Sequence, residues 1–195
     1  MPTTNNKVKY GIKNVYYAVA TIAAGNTATY DTPVAIPGAV SLSLEQQGEN
    51  EPFYADNIVY YTSIGNSGYE GDLEVALLPD SFRKDVLGEV LDGKNVLFED
   101  VDAPPVHFAL LFQFEGDVKA TKHVLYNCTC TRPALSSSTK EDSVTPQTES
   151  ITIKATSIKN ATLNKEVVKA KANEDSDATV YAGWTSSVYM ATSTT

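Results

Sequence analysis

A few clusters in this sequence have residue types and spacings that could do chemistry. Gly65-Asn66-Ser67-Gly68 sets a serine between turn-forming residues, where a hydroxyl could be activated if a histidine took its proton and an aspartate held that histidine. In the serine proteases that use such a turn the histidine precedes the serine in the chain. Here His107 and His123 both follow it, so turn formation is the simpler reading. Ser137-Ser138-Thr139-Lys140 fits a Ser-x-x-Lys nucleophile pattern, but the supporting Ser-Asp-Asn and Lys-Thr-Gly elements are missing and the segment reads as a flexible loop. Asp100 with Asp102, or Glu70 with Asp72 and Glu74, have the types needed for acid/base pairs or a calcium site. Alternate acidic residues on a half-buried strand are more simply its solvated face. Cys128 and Cys130 stand two apart, which on a strand points both thiols to one face as reduced, partly buried groups. A zinc site would have to recruit His107 and His123 as well. Asn127-Cys128-Thr129 and Asn160-Ala161-Thr162 are glycosylation sequons with no secretory route in view. No glycine loop that could cradle phosphate is present. The expectation is therefore no catalytic residue, no cofactor and no metal: a protein that is not an enzyme.

The elements that would position these residues are mainly strands. Tyr10 to Ile22 is an extended run closed by the turn Ala24-Gly25-Asn26, with Val34 to Leu44 as the expected hairpin partner, because Val40, Leu42 and Leu44 alternate with Ser41, Ser43 and Glu45. From Glu45 to Asp56 the chain turns polar and irregular and then presents Phe53 and Tyr54. That reads as a long flexible arm, about 45–57, whose aromatics either dock onto a partner or staple the loop to its own core. Ile58 to Thr62 and Tyr69 to Leu78 are strand-like, with Leu73, Val75 and Leu77 on one side. The period then changes: Phe82, Val86, Leu87, Val90 and Leu91 predict one helix over about 80–92, with Asp80 as N-cap and Gly93 as the stop.

Val106 to Glu115 is the most informative stretch. Phe108, Leu110, Phe112 and Phe114 share one face, and His107, Ala109, Gln113 and Glu115 share the other. His123 to Thr131 is the expected return strand, and Ser150 to Ile158 is a last strong strand after a Ser/Thr-rich loop. Glu166 to Ala172 is strand or short helix, and the tail from about 190 looks frayed. The fold class expected is mainly β, a sandwich or half-barrel with one flanking helix and long loops, formed by residues 1–195 as one domain.

Charge and composition narrow the function. With 24 acidic against 15 basic residues the formal net charge is −9, which repels phosphates and argues against specific DNA binding. A wall along which a polyanion must slide would benefit from such repulsion. The first residues carry neither a secretory signal nor an anchor, and no apolar run reaches the roughly 18 residues of a membrane helix, so the expectation is a soluble protein made in the cytosol without a membrane partner.

The order of several short segments resembles the major tail protein (tail tube protein) family of bacteriophages with long, non-contractile tails. These segments are Tyr10 to Ala18, Tyr54-Ala55-Asp56-Asn57, Gly68 to Glu74 leading into Pro79-Asp80-Ser81-Phe82, Phe108 to Gly116, Tyr126-Asn127-Cys128 with Arg132-Pro133, and Thr148 to Ile151. The resemblance implies a subunit that assembles with itself into stacked hexameric rings, a channel for DNA ejection. It also implies a tape measure protein and tail initiator and terminator proteins as partners, DNA that passes without specific binding, and a place in the virion after assembly in the host cytoplasm. On this reading Phe53, Tyr54 and Asp56 contact other subunits, in neighbouring rings, and His107, Gln113 and Glu115 face the lumen. Other self-assembling β modules, such as a capsid decoration protein or a type VI secretion tube protein, remain alternatives. So does a carbohydrate-binding or adhesin domain, to which 11 tyrosines and Trp184 could supply stacking platforms.

Overall fold

The computed structural model describes residues 8–48, 50–139 and 146–192. Strands dominate it. In chain order they are β1 (Tyr10–Ala23), β2 (Thr27–Tyr30), β3 (Val34–Ala35), β4 (Ala39–Gln47), β5 (Asn50–Ala55), β6 (Ile58–Ile64) and β7 (Gly68–Val75). A short helix α1 (Asp80–Asp85) follows, then β8 (Val90–Leu91), β9 (Leu97–Phe98), β10 (His107–Glu115), β11 (Lys122–Cys130) and β12 (Glu149–Thr156). The C-terminal part holds β13 (Ile158–Asn160), β14 (Lys165–Val167), β15 (Lys169–Ala172) and the helix α2 (Ala178–Gly183). The mainly β expectation holds.

The main sheet runs β2-β1-β10-β11-β12-β7-β4, every pairing antiparallel, with β3 also on β1 and β15 also on β11. It curls, because β4 at one end of this order comes back to face the beginning of β1 across a shared groove. Inside the curl lies the larger core: Tyr17 from β1, Leu73 and Val75 from β7, Phe108 and Leu110 from β10, and Ile151 and Ile153 from β12, capped by Phe82 of α1. Phe82 meets Tyr17 and Phe108 edge-on, at ring centroid distances of 5.0 and 5.6 Å. Such aromatic pairs add to the burial energy of the ring.

A second core covers the outer face of β1, β10 and β11. Ala18, Ala109, Leu111, Val124 and Tyr126 are sealed there by Ile158, Ala172 and Trp184 from the C-terminal segment. This explains why β10 reads as an almost unbroken apolar run: both of its faces are covered. A bulge in β11 sets Tyr126 and Asn127 opposite Ala109, since Leu110 pairs with Leu125 but Phe108 pairs with Cys128. At that bulge the neighbour of β11 changes from β15 to β12.

Several local expectations are corrected. The direct hairpin partner of β1 is β2, and of the expected partner Val34 to Leu44 only Val34 and Ala35, as β3, pair with β1. The β-prone residues Thr27 to Tyr30 follow the turn directly, and β4 pairs with β7 instead. The stretch Glu45 to Asp56 is strand rather than irregular arm on either side of its middle: β4 continues to Gln47 and β5 starts at Asn50, while residue 49 lies outside the described residues. Leu77 is exposed and Leu78 is buried, because β7 ends at Val75 and the chain bends.

The helix predicted over 80–92 stops at Asp85. Gly88 has φ 71°, a left-handed conformation that ends helical geometry, and Val90 and Leu91 then pair with Phe98 and Leu97 as a small hairpin. Pro79, not Asp80, holds the N-cap position, and it makes no side-chain cap bond. Glu166 to Ala172 resolves to strands, and α2 is an additional helix capped by Asp177, whose carboxylate accepts from the amides of Thr179 and Val180. Much of the Ser/Thr-rich loop, including Lys140, and the last three residues of the tail lie outside the described residues.

Candidate functional site

Several of the residues whose types could serve catalysis make local hydrogen bonds. Asn66 accepts from the amide of Gly68 at 3.3 Å, and the amide of Ser67 donates to the Gln47 carbonyl at 2.8 Å, which closes the turn at the base of the β5–β6 hairpin. Asp72 accepts from Thr152 Oγ1, Glu74 accepts from Thr148 Oγ1 and Ser41 Oγ, and Glu70 lies 3.8 Å from Lys154 Nζ. The two hydroxyl bonds, that of Thr148 first, lower the pKa of the Glu74 carboxyl. Asp100 accepts from the amide of Asp102 in a turn.

Cys128 and Cys130 both belong to the inner core, and burial raises the pKa of both thiols, to about 12 for Cys130. His107 lies on the outer face of β10, with Ala109 and Leu111, so the sheet itself separates it from the thiols. Among the described residues no group of three His, Cys, Asp or Glu side chains is placed to hold a metal. Also among them, no helix is long and apolar enough to cross a membrane.

The trio His107, Gln113 and Glu115 does share one face of β10, but it does not form a continuous wet strip. His107 Nδ1 donates to Asn127 Oδ1 at 2.7 Å, and Asn127 Nδ2 donates to Thr156 Oγ1 at 2.9 Å. Gln113 is only 7% exposed and accepts from Asn14 Nδ2 at 3.0 Å. Ala109 and Leu111 between them are sealed by the C-terminal segment. Glu115, at the strand end, is exposed and 3.4 Å from Lys13 Nζ.

The surface that stands apart is the hairpin of β5 and β6. It forms a two-stranded sheet of its own, turned by Asp56 and Asn57 with φ of 53° and 61°. Two successive left-handed residues make the type I′ geometry that matches strand twist. Ile58, Val59, Tyr60 and Tyr61 are consecutive and each 52–72% exposed, so this part of β6 is bare on both faces, and Tyr54 across from it is exposed as well. Tyr54 therefore does not staple the segment to the core. Phe53 pairs with Tyr61 in register, and its side chain lies outside what is described. Exposed apolar side chains in such a run are more than a surface strand ordinarily carries. A smaller apolar cluster is exposed around β8 and β9, at Val90, Leu91, Val96 and Phe98. Arg132 fixes its position by donating to Glu99 Oε1 and to the carbonyls of Leu87 and Asp100.

Sequence reasoning placed the aromatics of this arm but missed its second half. The sequence pattern marks Ile58 to Thr62 only as strand-like, and the signal that joins it to the arm is Asp56-Asn57 between two β-prone runs, a hairpin turn.

No family model matches the chain, and no curated protein matches it. Among solved structures it is similar to a chain described as "Cryo-EM structure of the anti-feeding prophage (AFP) baseplate, 6-fold symmetrised", with 10% sequence identity, 87% of this chain and 97% of that chain covered, and a TM-score of 0.39. A likeness that distant carries no argument about function.

Proposed function

We propose that this chain is a structural, non-enzymatic subunit of a bacteriophage tail, the tail tube protein that assembles into stacked hexameric rings. The observation that carries the reading is the β5–β6 hairpin, on which Tyr54, Ile58, Val59, Tyr60 and Tyr61 are all exposed. In an isolated subunit it would be an aggregation liability; in an assembly it becomes a contact. The residues expected at subunit contacts are on it: Tyr54 in β5 and Asp56 in the turn, with Phe53 at its register position. The curled sheet supports the same reading, because β2 and β4 end the strand order and leave edges that a neighbouring copy could extend. The sequence segments that resemble the tail tube family supply the hexamer, the channel, the tape measure and terminator partners and the virion location. The acidic net charge suits a channel through which DNA slides without being held.

The test is negative-stain electron microscopy with light scattering on the purified chain as concentration rises. Rings or hollow tubes are expected. A persistent monomer would overturn the reading in favour of a binding module.

A further inference from the structure

The β5–β6 arm and the strands that flank it, residues 45–67, contain four acidic residues, Glu45, Glu49, Glu51 and Asp56, and no Lys, Arg or His. On a chain of net charge −9, two copies repel one another over most of their surface. An acidic, aromatic arm therefore needs a basic, apolar place to land.

The fold assembles such a place at the point where β15 replaces β12 beside β11. There the inner face of the sheet is no longer continued by β7 and β4. Lys169 and Lys171, both exposed, stand in register with Leu125 and His123. Lys169 Nζ lies 4.4 Å from the centroid of the Tyr69 ring. Next to His123, Phe114 carries Lys9 Nζ over its ring at 4.4 Å. Phe114 continues into a groove of about 260 Å³ between the start of β1 and β4, lined also by Tyr10, Val40 and Leu42. The cations are real neighbours in electrostatic terms: Lys9, Lys171 and Lys169 each hold down the pKa of His123, second only to its burial. Cations, aromatic faces and an apolar groove in one stretch match the acidic and aromatic groups of the arm.

Building on the reading of the arm as a subunit contact, we propose that the β5–β6 hairpin of one copy docks on a second copy of this chain, in the groove of Lys9, Tyr10, Leu42 and Phe114 flanked by Lys169 and Lys171. Donor and acceptor are different surfaces of the same chain, so the contact is heterologous. It leaves each copy with one arm to give and one groove to fill, which propagates into a closed ring or a helix.

The experiment is a charge swap on the full chain, read as the concentration at which light scattering and electron microscopy first detect assembly. Lys169→Glu with Lys171→Glu is expected to raise that concentration at least tenfold. So is Asp56→Lys, while Asp56→Asn, which keeps a residue suited to the left-handed turn, should raise it less. Combining the three reversals should bring it back to within about threefold of the original protein, a rescue that loss of folding could not produce; circular dichroism and melting of each variant check the fold. Tubes that form regardless of these charges, or a combined variant no better than the worse parent, would overturn the docking site and leave the tube reading standing. If duplex DNA protected Lys169 and Lys171 from acetylation and a second copy did not, the site would be one for nucleic acid and the proposal would fall. A chain that never associates at any concentration would overturn both.

Discussion

Phe112 and His123 stack ring on ring, with centroids 5.2 Å apart and planes 11° from parallel, and Phe114 meets the same imidazole edge-on at 5.4 Å. Burial among these rings, reinforced by Lys9, Lys171 and Lys169 and opposed by Asp117, pushes the His123 pKa down from 6.5 to about 4. The unfolded chain therefore takes up a proton near pH 6.5 that the folded chain refuses until about pH 4. The contribution is present in full above pH 6.5 and is lost as pH falls from there towards 4. It is at most about 3 kcal/mol, and less because the half-buried ring keeps some solvent. Urea midpoints should fall between pH 7 and pH 5, and His123→Phe should remove most of that fall. Equal falls in the two proteins would rule out His123 as the source.

Phe82 is the plug of the inner core, fully buried from a helix of six residues between Tyr17 and Phe108. Phe82→Ala leaves a cavity that rigid strands cannot collapse around, and should cost about 3–5 kcal/mol in urea unfolding. A loss below about 1 kcal/mol would mean that the helix only covers the core and does not fill it.

α1 is tied to the sheet by Arg83, whose Nη2 lies 2.7 Å from Glu149 Oε1, while Glu149 Oε2 accepts from the amide of Leu78 at 2.7 Å. Both side chains keep only 17% of their exposure, so the pair lies between the exposed and fully buried limits. A double-mutant cycle of Arg83→Met and Glu149→Gln should give a coupling of about 1–3 kcal/mol. Glu149→Gln alone should be milder than Glu149→Ala, because the amide oxygen can still accept from Leu78. Additive single effects would show that the ion pair contributes nothing beyond each residue's own contacts.

These elements differ in how far the sequence announced them. Ile151, Ile153 and Ala155 alternate with polar residues, and the strand that carries them has one buried face as read. The two faces of β10 were also assigned correctly, yet the outer one was expected to be wet. Of what covers it with Ile158, both Trp184 and Ala172 come from a segment of weak periodicity whose strands are three or four residues long. Short strands give pattern reasoning too few repeats to register. The helix over 80–92 was overextended for a related reason: Val90 and Leu91 fit a helical period, and only the left-handed backbone at Gly88 decides against it. Of the candidate site, the aromatic arm was legible from composition. The basic groove was not, since Lys9, Phe114 and Lys169 are distant in sequence and are brought together only by the curl of the sheet.

The arm itself allows folding and assembly to be separated. Ile58 and Tyr60 lie on the same face of β6, are each more than half exposed, and belong to a two-stranded sheet of β5 and β6 that pairs with no other strand among the described residues. Replacing both with serine removes apolar surface that the folded subunit does not bury, so unfolding free energy should change by no more than about 0.5 kcal/mol per site. Self-association should respond very differently, because the same side chains would be desolvated in a contact between copies. Light scattering of Ile58→Ser with Tyr60→Ser should show no assembly at ten times the concentration at which the unaltered chain assembles, with the same melting temperature for the monomer. If the variant assembled at the original concentration, the hairpin would not be the contact, and the exposed cluster of Val90, Leu91, Val96 and Phe98 would be the next surface to alter in the same way.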